Sequence, residues 1–82
     1  MFSYIAFYND TKYPYISVCE GDDVIAECLP RHEKSKYCLA DAGSISVTLL
    51  DNHKKPFLDL YISLKPNKFH MVKIREFSAE FM

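Results

Sequence analysis

Apolar and polar residues alternate most regularly in the second half of this chain. From Ser44 to Leu50, and again from Phe57 to Leu64, every second residue is apolar. A two-residue period is typical of a strand with one buried face, because successive side chains of a strand point to opposite sides. We expect the core-facing positions, including two from the next apolar segment, to be Ile45, Val47, Leu49, Leu58, Leu60, Ile62, Val72 and Ile74. The outward positions of the second segment are then Phe57, Asp59, Tyr61 and Ser63.

Shorter segments rich in aromatic and β-branched residues lie before and after this pair. Turn-forming residues such as Gly21, Pro30 and Pro66 separate them. No segment sustains a helical period, and the tail from Phe77 to Met82 is amphipathic but too short to assign. The pattern predicts an all-β domain of about seven short strands, spaced about ten residues apart, as in a β-sandwich or barrel. The predicted strands are Phe2–Tyr8, Tyr13–Glu20, Val24–Leu29, Tyr37–Ala40, Ser44–Leu50, Phe57–Leu64 and Phe69–Arg75.

Size and charge narrow the possible functions. The chain has 82 residues, so we expect residues 1–82 to form a single domain. The formal net charge is −1, which argues against a dedicated nucleic-acid binder, because phosphate neutralisation supplies most of the affinity in that class. No apolar run approaches the roughly 20 residues that a helix needs to cross a bilayer. We therefore expect no membrane span.

A family resemblance rests on the turn chemistry of the second half. A strand that begins with an aromatic residue, Tyr37-Cys38-Leu39, is followed by a break with glycine, Asp41-Ala42-Gly43. A strand with β-branched residues comes next, at Ser44-Ile45-Ser46-Val47, and a corner with proline comes later, at Leu64-Lys65-Pro66-Asn67-Lys68-Phe69. This order resembles an immunoglobulin-like β-sandwich family of unassigned function found in bacterial surface and secreted proteins. Family members carry glycine where this chain has Asn67, which a left-handed turn also permits, and tyrosine where it has Phe69. The resemblance implies a small Ig-like antiparallel β-sandwich and no activity to carry over.

Cysteine and histidine side chains are the candidates for metal or thiol chemistry. The closest spacing is Cys28-x₃-His32 with no second pair, whereas zinc sites normally combine two close pairs. A thiol enzyme pairing Cys38 with His32 or His70 is a second alternative, but no residue pattern identifies an activating group. We expect no catalytic, cofactor-binding or metal-binding residues and no cofactor.

The redox setting follows from the cysteine count. The chain has three cysteines, an odd number that cannot close completely into disulfides, and its first residues lack a basic, uninterrupted apolar signal. We therefore expect free thiols and a cytoplasmic location.

Basic residues collect in three predicted loops. Arg31, Lys34 and Lys36 lie in the first, Lys54 and Lys55 in the second, and Lys65 and Lys68 in the third. Aromatic residues interleaved with such loops are typical of single-strand nucleic-acid platforms, so a small nucleic-acid-binding β-barrel is the main alternative function. Lysines at strand edges also protect against aggregation, and we expect nucleic acid not to be the partner.

Aromatic residues exceed what one thin core needs. The chain has six tyrosines and six phenylalanines, and aromatic side chains are enriched in protein interfaces. We expect a homodimer or a complex with a protein partner, buried through Tyr4, Tyr8, Phe57 and Tyr61, with the tail crossing over or, alternatively, folding back over these rings. The sequence thus favours a non-catalytic binding or assembly module.

Overall fold

The computed structural model describes residues 1–82 and contains eight strands in two four-stranded sheets. The strands are β1 (Phe2–Asn9), β2 (Tyr15–Glu20), β3 (Asp23–Pro30), β4 (Cys38–Asp41), β5 (Gly43–Leu50), β6 (Pro56–Leu64), β7 (Phe69–Ile74) and β8 (Ala79–Phe81). The first sheet has the order β4-β1-β7-β8 and the second has the order β3-β2-β5-β6. The predicted all-β sandwich is confirmed. The sheets form an open sandwich, so the barrel architecture attached to the nucleic-acid alternative is wrong.

The first sheet is built around β1. This strand pairs antiparallel with β4, where Tyr4 lies opposite Leu39, and parallel with β7, where Tyr4 lies opposite Phe69. The expected antiparallel sandwich therefore contains this one parallel pair, and its other five strand pairs are antiparallel. The chain enters β7 from the second sheet through a tight turn, so β7 runs in the same direction as β1. The tail that was too short to assign pairs with β7 as β8.

The second sheet is antiparallel throughout and contains the two regularly alternating segments. β5 and β6 pair from Gly43 opposite Leu64 up to Leu49 opposite Leu58, and a bulge shifts the register so that Leu50 lies opposite Pro56. Ile45 and Ile62, directly opposite each other, are both buried. The alternation seen in the sequence thus corresponds to an inner apolar face and an outer polar face.

The inner faces of both sheets form one hydrophobic core. Six predicted core residues are buried, namely Ile45, Val47, Leu49, Ile62, Val72 and Ile74, and the other two, Leu58 and Leu60, are half-buried against them. Buried residues that the periodicity did not single out come mainly from the first half of the chain: Ile5, Phe7, Ile16, Val18 and Leu29. The structure contains no helix with the length and apolar character needed to traverse a bilayer.

A buried polar cluster closes the end of the sandwich at which β1 leaves the first sheet. The Asn9 side chain donates from Nδ2 to the Leu29 carbonyl (3.0 Å), and its Oδ1 accepts from the backbone N–H and the hydroxyl of Thr11 (3.0 and 2.6 Å). The Thr11 hydroxyl oxygen in turn accepts from the Tyr13 N–H. Because these groups are paired away from water, the cluster fixes the crossing from β1 to the second sheet.

Candidate functional site

The outer faces of the two sheets differ in polarity. On the second sheet, β5 presents Ser44, Ser46 and Thr48 outward, and Ser44 and Ser46 lie opposite Ser63 and Tyr61 of β6. On the first sheet, the strand register places large apolar side chains in the corresponding outward positions. They are Phe2, Tyr4, Leu39, Phe69 and Met71. The first sheet therefore has the more apolar outer face.

Two aromatic rings on that face are each in contact with the ring of Phe69. The Tyr4 and Phe69 rings are stacked, with centroids 4.6 Å apart and an angle of 12° between their planes. The Tyr37 and Phe69 rings form a T-shaped pair, with centroids 5.0 Å apart and an interplanar angle of 89°. We call Tyr4, Tyr37 and Phe69 the aromatic cluster. Phe69 is nevertheless 66% exposed, and Leu39, which lies opposite Tyr4 on β4, is 59% exposed. The cluster is thus an ordered apolar surface open to solvent.

Backbone hydrogen bonds around a tight turn set the position of Phe69. Asn67 adopts a left-handed conformation (φ 56°), which asparagine tolerates better than most residues. Its N–H donates to the Phe2 carbonyl, and the Lys68 carbonyl accepts from the N–H of Tyr4. The turn is therefore attached to β1, and Phe69 begins β7 directly opposite Tyr4.

A buried serine and a histidine strengthen the same turn. Ser3 is fully buried and donates from Oγ to the Lys68 carbonyl at 2.8 Å. His70 accepts at Nε2 from the Lys65 N–H, so its proton resides on Nδ1, which lies 3.1 Å from Ser3 Oγ. This is the reverse of a nucleophile and base pair, in which histidine accepts the serine proton. The two side chains hold the turn beneath the aromatic cluster.

The structure does not bring the four predicted interface residues together. Tyr4 belongs to the aromatic cluster, and Tyr8 is half-buried farther along the same outer face. Tyr61 is 86% exposed on the other sheet. That these residues form an interface remains a prediction.

The position of Phe57 contradicts the expectation that its side chain points away from the core. Phe57 is half-buried, packs against the core and lies 4.9 Å from the Tyr13 ring. The physical reason is the bulge beside it: Leu49 pairs with Leu58 and Leu50 with Pro56, so Phe57 is the extra residue and the alternation is interrupted there.

Two members of the aromatic cluster were missed from the sequence. Tyr37 and Phe69 each begin a predicted strand after a polar loop. Their contact depends on β1 lying between β4 and β7, and nothing in the local pattern reveals that pairing. Phe69 stood out only as the aromatic residue of the predicted proline corner.

The thiol and metal candidates are dispersed. All three cysteines are unpaired, and the Cys38 thiol donates to the Ile25 carbonyl at 3.2 Å rather than contacting a histidine. No group of three or more His, Cys, Asp or Glu side chains lies close enough together to hold a metal ion.

One of the three basic loops lies apart from the other two. The strand order places residues 31–36 and 51–55 at the end of the sandwich near Asn9, whereas residues 65–68 connect β6 to β7 at the opposite end. The structure therefore does not unite the three loops into one basic surface.

Fold and surface together define a β-sandwich with an exposed aromatic cluster on one outer face. Comparison of the chain with protein-family models, with curated proteins and with solved structures returned no match.

Proposed function

We propose that this protein is a non-catalytic binding module that takes a protein partner onto the outer face of its first sheet. The observation that carries the proposal is the contact of the Phe69 ring with those of Tyr4 and Tyr37, all three of which remain open to solvent. Scattered single aromatics are common on protein surfaces, but a clustered and ordered set is characteristic of interface cores. The Ig-like family and the cytoplasmic location are part of this proposal, supported by the two-sheet sandwich and by the odd number of unpaired cysteines.

The rings suit this role because little conformational entropy is lost when they bind. Each aromatic side chain has only two rotatable angles, and stacking already restricts Tyr4 and Phe69. The phenolic oxygens of Tyr4 and Tyr37 supply hydrogen-bonding groups at the border of the apolar surface. Exposed Lys36 and Lys68 adjoin Tyr37 and Phe69 in the chain, so the expected partner has an apolar centre with acidic groups around it.

A nucleic-acid strand is the less favoured occupant of the same rings. Bases stack well on exposed aromatic side chains, but Tyr4 and Phe69 already stack on each other. The net charge of −1 and the separation of the basic loops also oppose it.

Site-specific photo-crosslinking in the source cells tests the proposal. A benzophenone amino acid replaces Leu39, which borders the aromatic cluster, and in a matched control it replaces exposed Ser46 on the outer face of the second sheet. We expect a discrete protein adduct from position 39, absent from position 46, and lost when Phe69→Ser is added.

Three results would contradict the proposal. One is the same adducts from both positions. Another is an adduct that Phe69→Ser leaves unchanged. The third is an adduct made only of nucleic acid, which would favour the alternative function instead.

A further inference from the structure

Four strands lie at the edges of the two sheets, and three of them are unsuited to pairing with another strand. β8 has three residues and β4 has four. β3 pairs with β2 through two register shifts, contains Cys28 in a left-handed conformation (φ 51°) and ends at Pro30. Short length, bulges and proline are the features by which natural sheets protect their edges.

β6 is the exception. It is nine residues long, and from Leu64 to Leu58 it pairs with β5 in continuous register. Its other side is the edge of the second sheet. Its sequence, PFLDLYISL, contains no lysine and only one charged residue, Asp59. Its proline is the first residue of the strand, where it does not interrupt the backbone hydrogen bonding of the strand interior.

We infer that β6 pairs antiparallel with β6 of a second copy of this chain, joining the two second sheets into one continuous sheet. A second copy is the occupant that the sequence favours, because a two-fold axis brings the same strand against itself and requires only self-complementarity. With the axis at Tyr61, Asp59 lies opposite Ser63 of the second copy and Leu60 opposite Ile62. No like charges then face each other, whereas an axis at Asp59 would oppose two carboxylates.

An apolar groove beside β6 provides side-chain contacts for the same interface. It has a volume of about 280 Å³ and lies between β6 and β8, with Leu60, Ile62, Val72, Ala79 and Phe81 among its lining residues. Phe81 at its border is 53% exposed. Side-by-side pairing through β6 brings the β8 edges of the two first sheets towards each other and covers this apolar surface along with the strand edges.

The assembly closes at two copies. After β6 has paired with its counterpart, the outermost strand at each end of the joined sheet is β3. Because β3 is bulged and ends in proline, it offers no regular edge to a third copy.

Lysine substitution on β6 tests the inference, with light scattering and sedimentation velocity across micromolar concentrations as the readout. Tyr61→Lys brings two positive charges close across the two-fold axis, and we expect it to raise the dimer dissociation constant at least about tenfold. Ser46→Lys is the matched control, because Ser46 lies directly opposite Tyr61 on the interior strand β5 and on the same outer face. Circular dichroism confirms that each variant is folded. Should Tyr61→Lys not fold, Ser63→Glu replaces it, because position 63 lies opposite Asp59 of the second copy and the substitution brings two carboxylates together.

Hydrogen exchange provides an independent readout. In the wild-type protein, amides of β6 should become more protected as concentration rises, and amides of β3 should not. A wild-type protein that stays monomeric would overturn the inference, as would a dimer that Tyr61→Lys, or Ser63→Glu in its place, leaves intact. A dimer abolished by Phe69→Ser but unaffected by lysine on β6 would assign self-association to the aromatic cluster instead. Since that variant tests the proposed function separately, either idea can fail without the other.

Discussion

Replacing Asn9 with alanine should destabilise the fold more than its single polar side chain suggests. Asn9 is fully buried, and its amide satisfies both the Leu29 carbonyl and the Thr11 N–H. Alanine removes the donor and the acceptor together and leaves these two backbone groups without their partner. The segment cannot easily open to water, because the Asn9 backbone also bonds to Glu33 and His32.

The expected magnitude follows from these two groups. A buried polar group left without a partner costs about 1–3 kcal/mol, so the pair predicts a loss of about 2–6 kcal/mol. For a chain of 82 residues, total stability is about 4–12 kcal/mol at the usual value per residue. Asn9→Ala should therefore remove a large fraction of the free energy of unfolding.

Urea unfolding measures this loss, followed by far-ultraviolet circular dichroism and by tyrosine fluorescence, which no tryptophan obscures. Asn52→Ala is the control, since Asn52 lies in a turn outside the strands, and it should change stability by less than about 0.5 kcal/mol. A double-mutant cycle with Thr11→Val should show that the two losses are not additive, because the side chains share a hydrogen bond. A loss below about 1 kcal/mol for Asn9→Ala would refute the reasoning, because it would mean that the orphaned groups regain partners.

Three further predictions concern packing, pH and thiol reactivity. Leu49→Ala should cost about 2–5 kcal/mol in urea unfolding because Leu49 is fully buried, whereas Leu39→Ala should cost little; equal losses would contradict the assigned core. Backbone hydrogen bonds lower the pKa of two carboxyl groups. The Lys55 N–H is the main cause of the lowering of the Asp51 pKa below its ordinary value of 3.8. The N–H groups of Glu76 itself and then of Lys12 lower the pKa of Glu76 below its ordinary value of 4.5. Because the folded state favours the ionised carboxylates, the stability that they contribute is present above these ordinary pKa values and is lost as the pH falls below them. Asp51→Asn should therefore reduce the loss of the urea midpoint at acid pH. A midpoint with the same pH profile in this variant would contradict the assignment. Without reductant, alkylation should modify all three cysteines, with exposed Cys28 reacting first; a disulfide in freshly isolated protein, detected by mass spectrometry, would contradict the cytoplasmic proposal.

The strands that could be predicted best are those with one buried face and one polar face. In β5 and β6 the serines and threonines mark the outer side, so the inner residues can be identified without knowledge of the fold. β1 offered no such contrast, since its outward residues include Phe2 and Tyr4 while its inward ones include Ile5 and Phe7. Periodicity could not distinguish two apolar faces, and the N-terminal part of the core was therefore missed.

The candidate site was harder to predict because it depends on pairing between distant segments. The aromatic cluster joins one residue each from β1 and β7 with a residue of the loop before β4. The parallel pairing of β1 with β7 brings together segments near the two ends of the chain. The sequence indicated correctly that the chain has a surplus of aromatic residues. It could not indicate which rings meet, and a single bulge was enough to turn Phe57 inward.

The two proposed surfaces bear on each other through the symmetry of β-pairing. Residues directly opposite each other in an antiparallel pair project to the same side of the sheet, so the two-fold axis of a β6–β6 dimer stands perpendicular to the joined sheet. The outer faces of both first sheets then point in the same direction, and each dimer presents two aromatic clusters to one side. Two clusters bound to a surface that carries many copies of the partner act together, and the gain in apparent affinity reaches about 10²–10⁴ when the geometry permits both to engage. Tyr61→Lys should therefore weaken binding to a densely coated surface far more than binding to the same partner free in solution, and equal losses in the two formats would show that the clusters act singly.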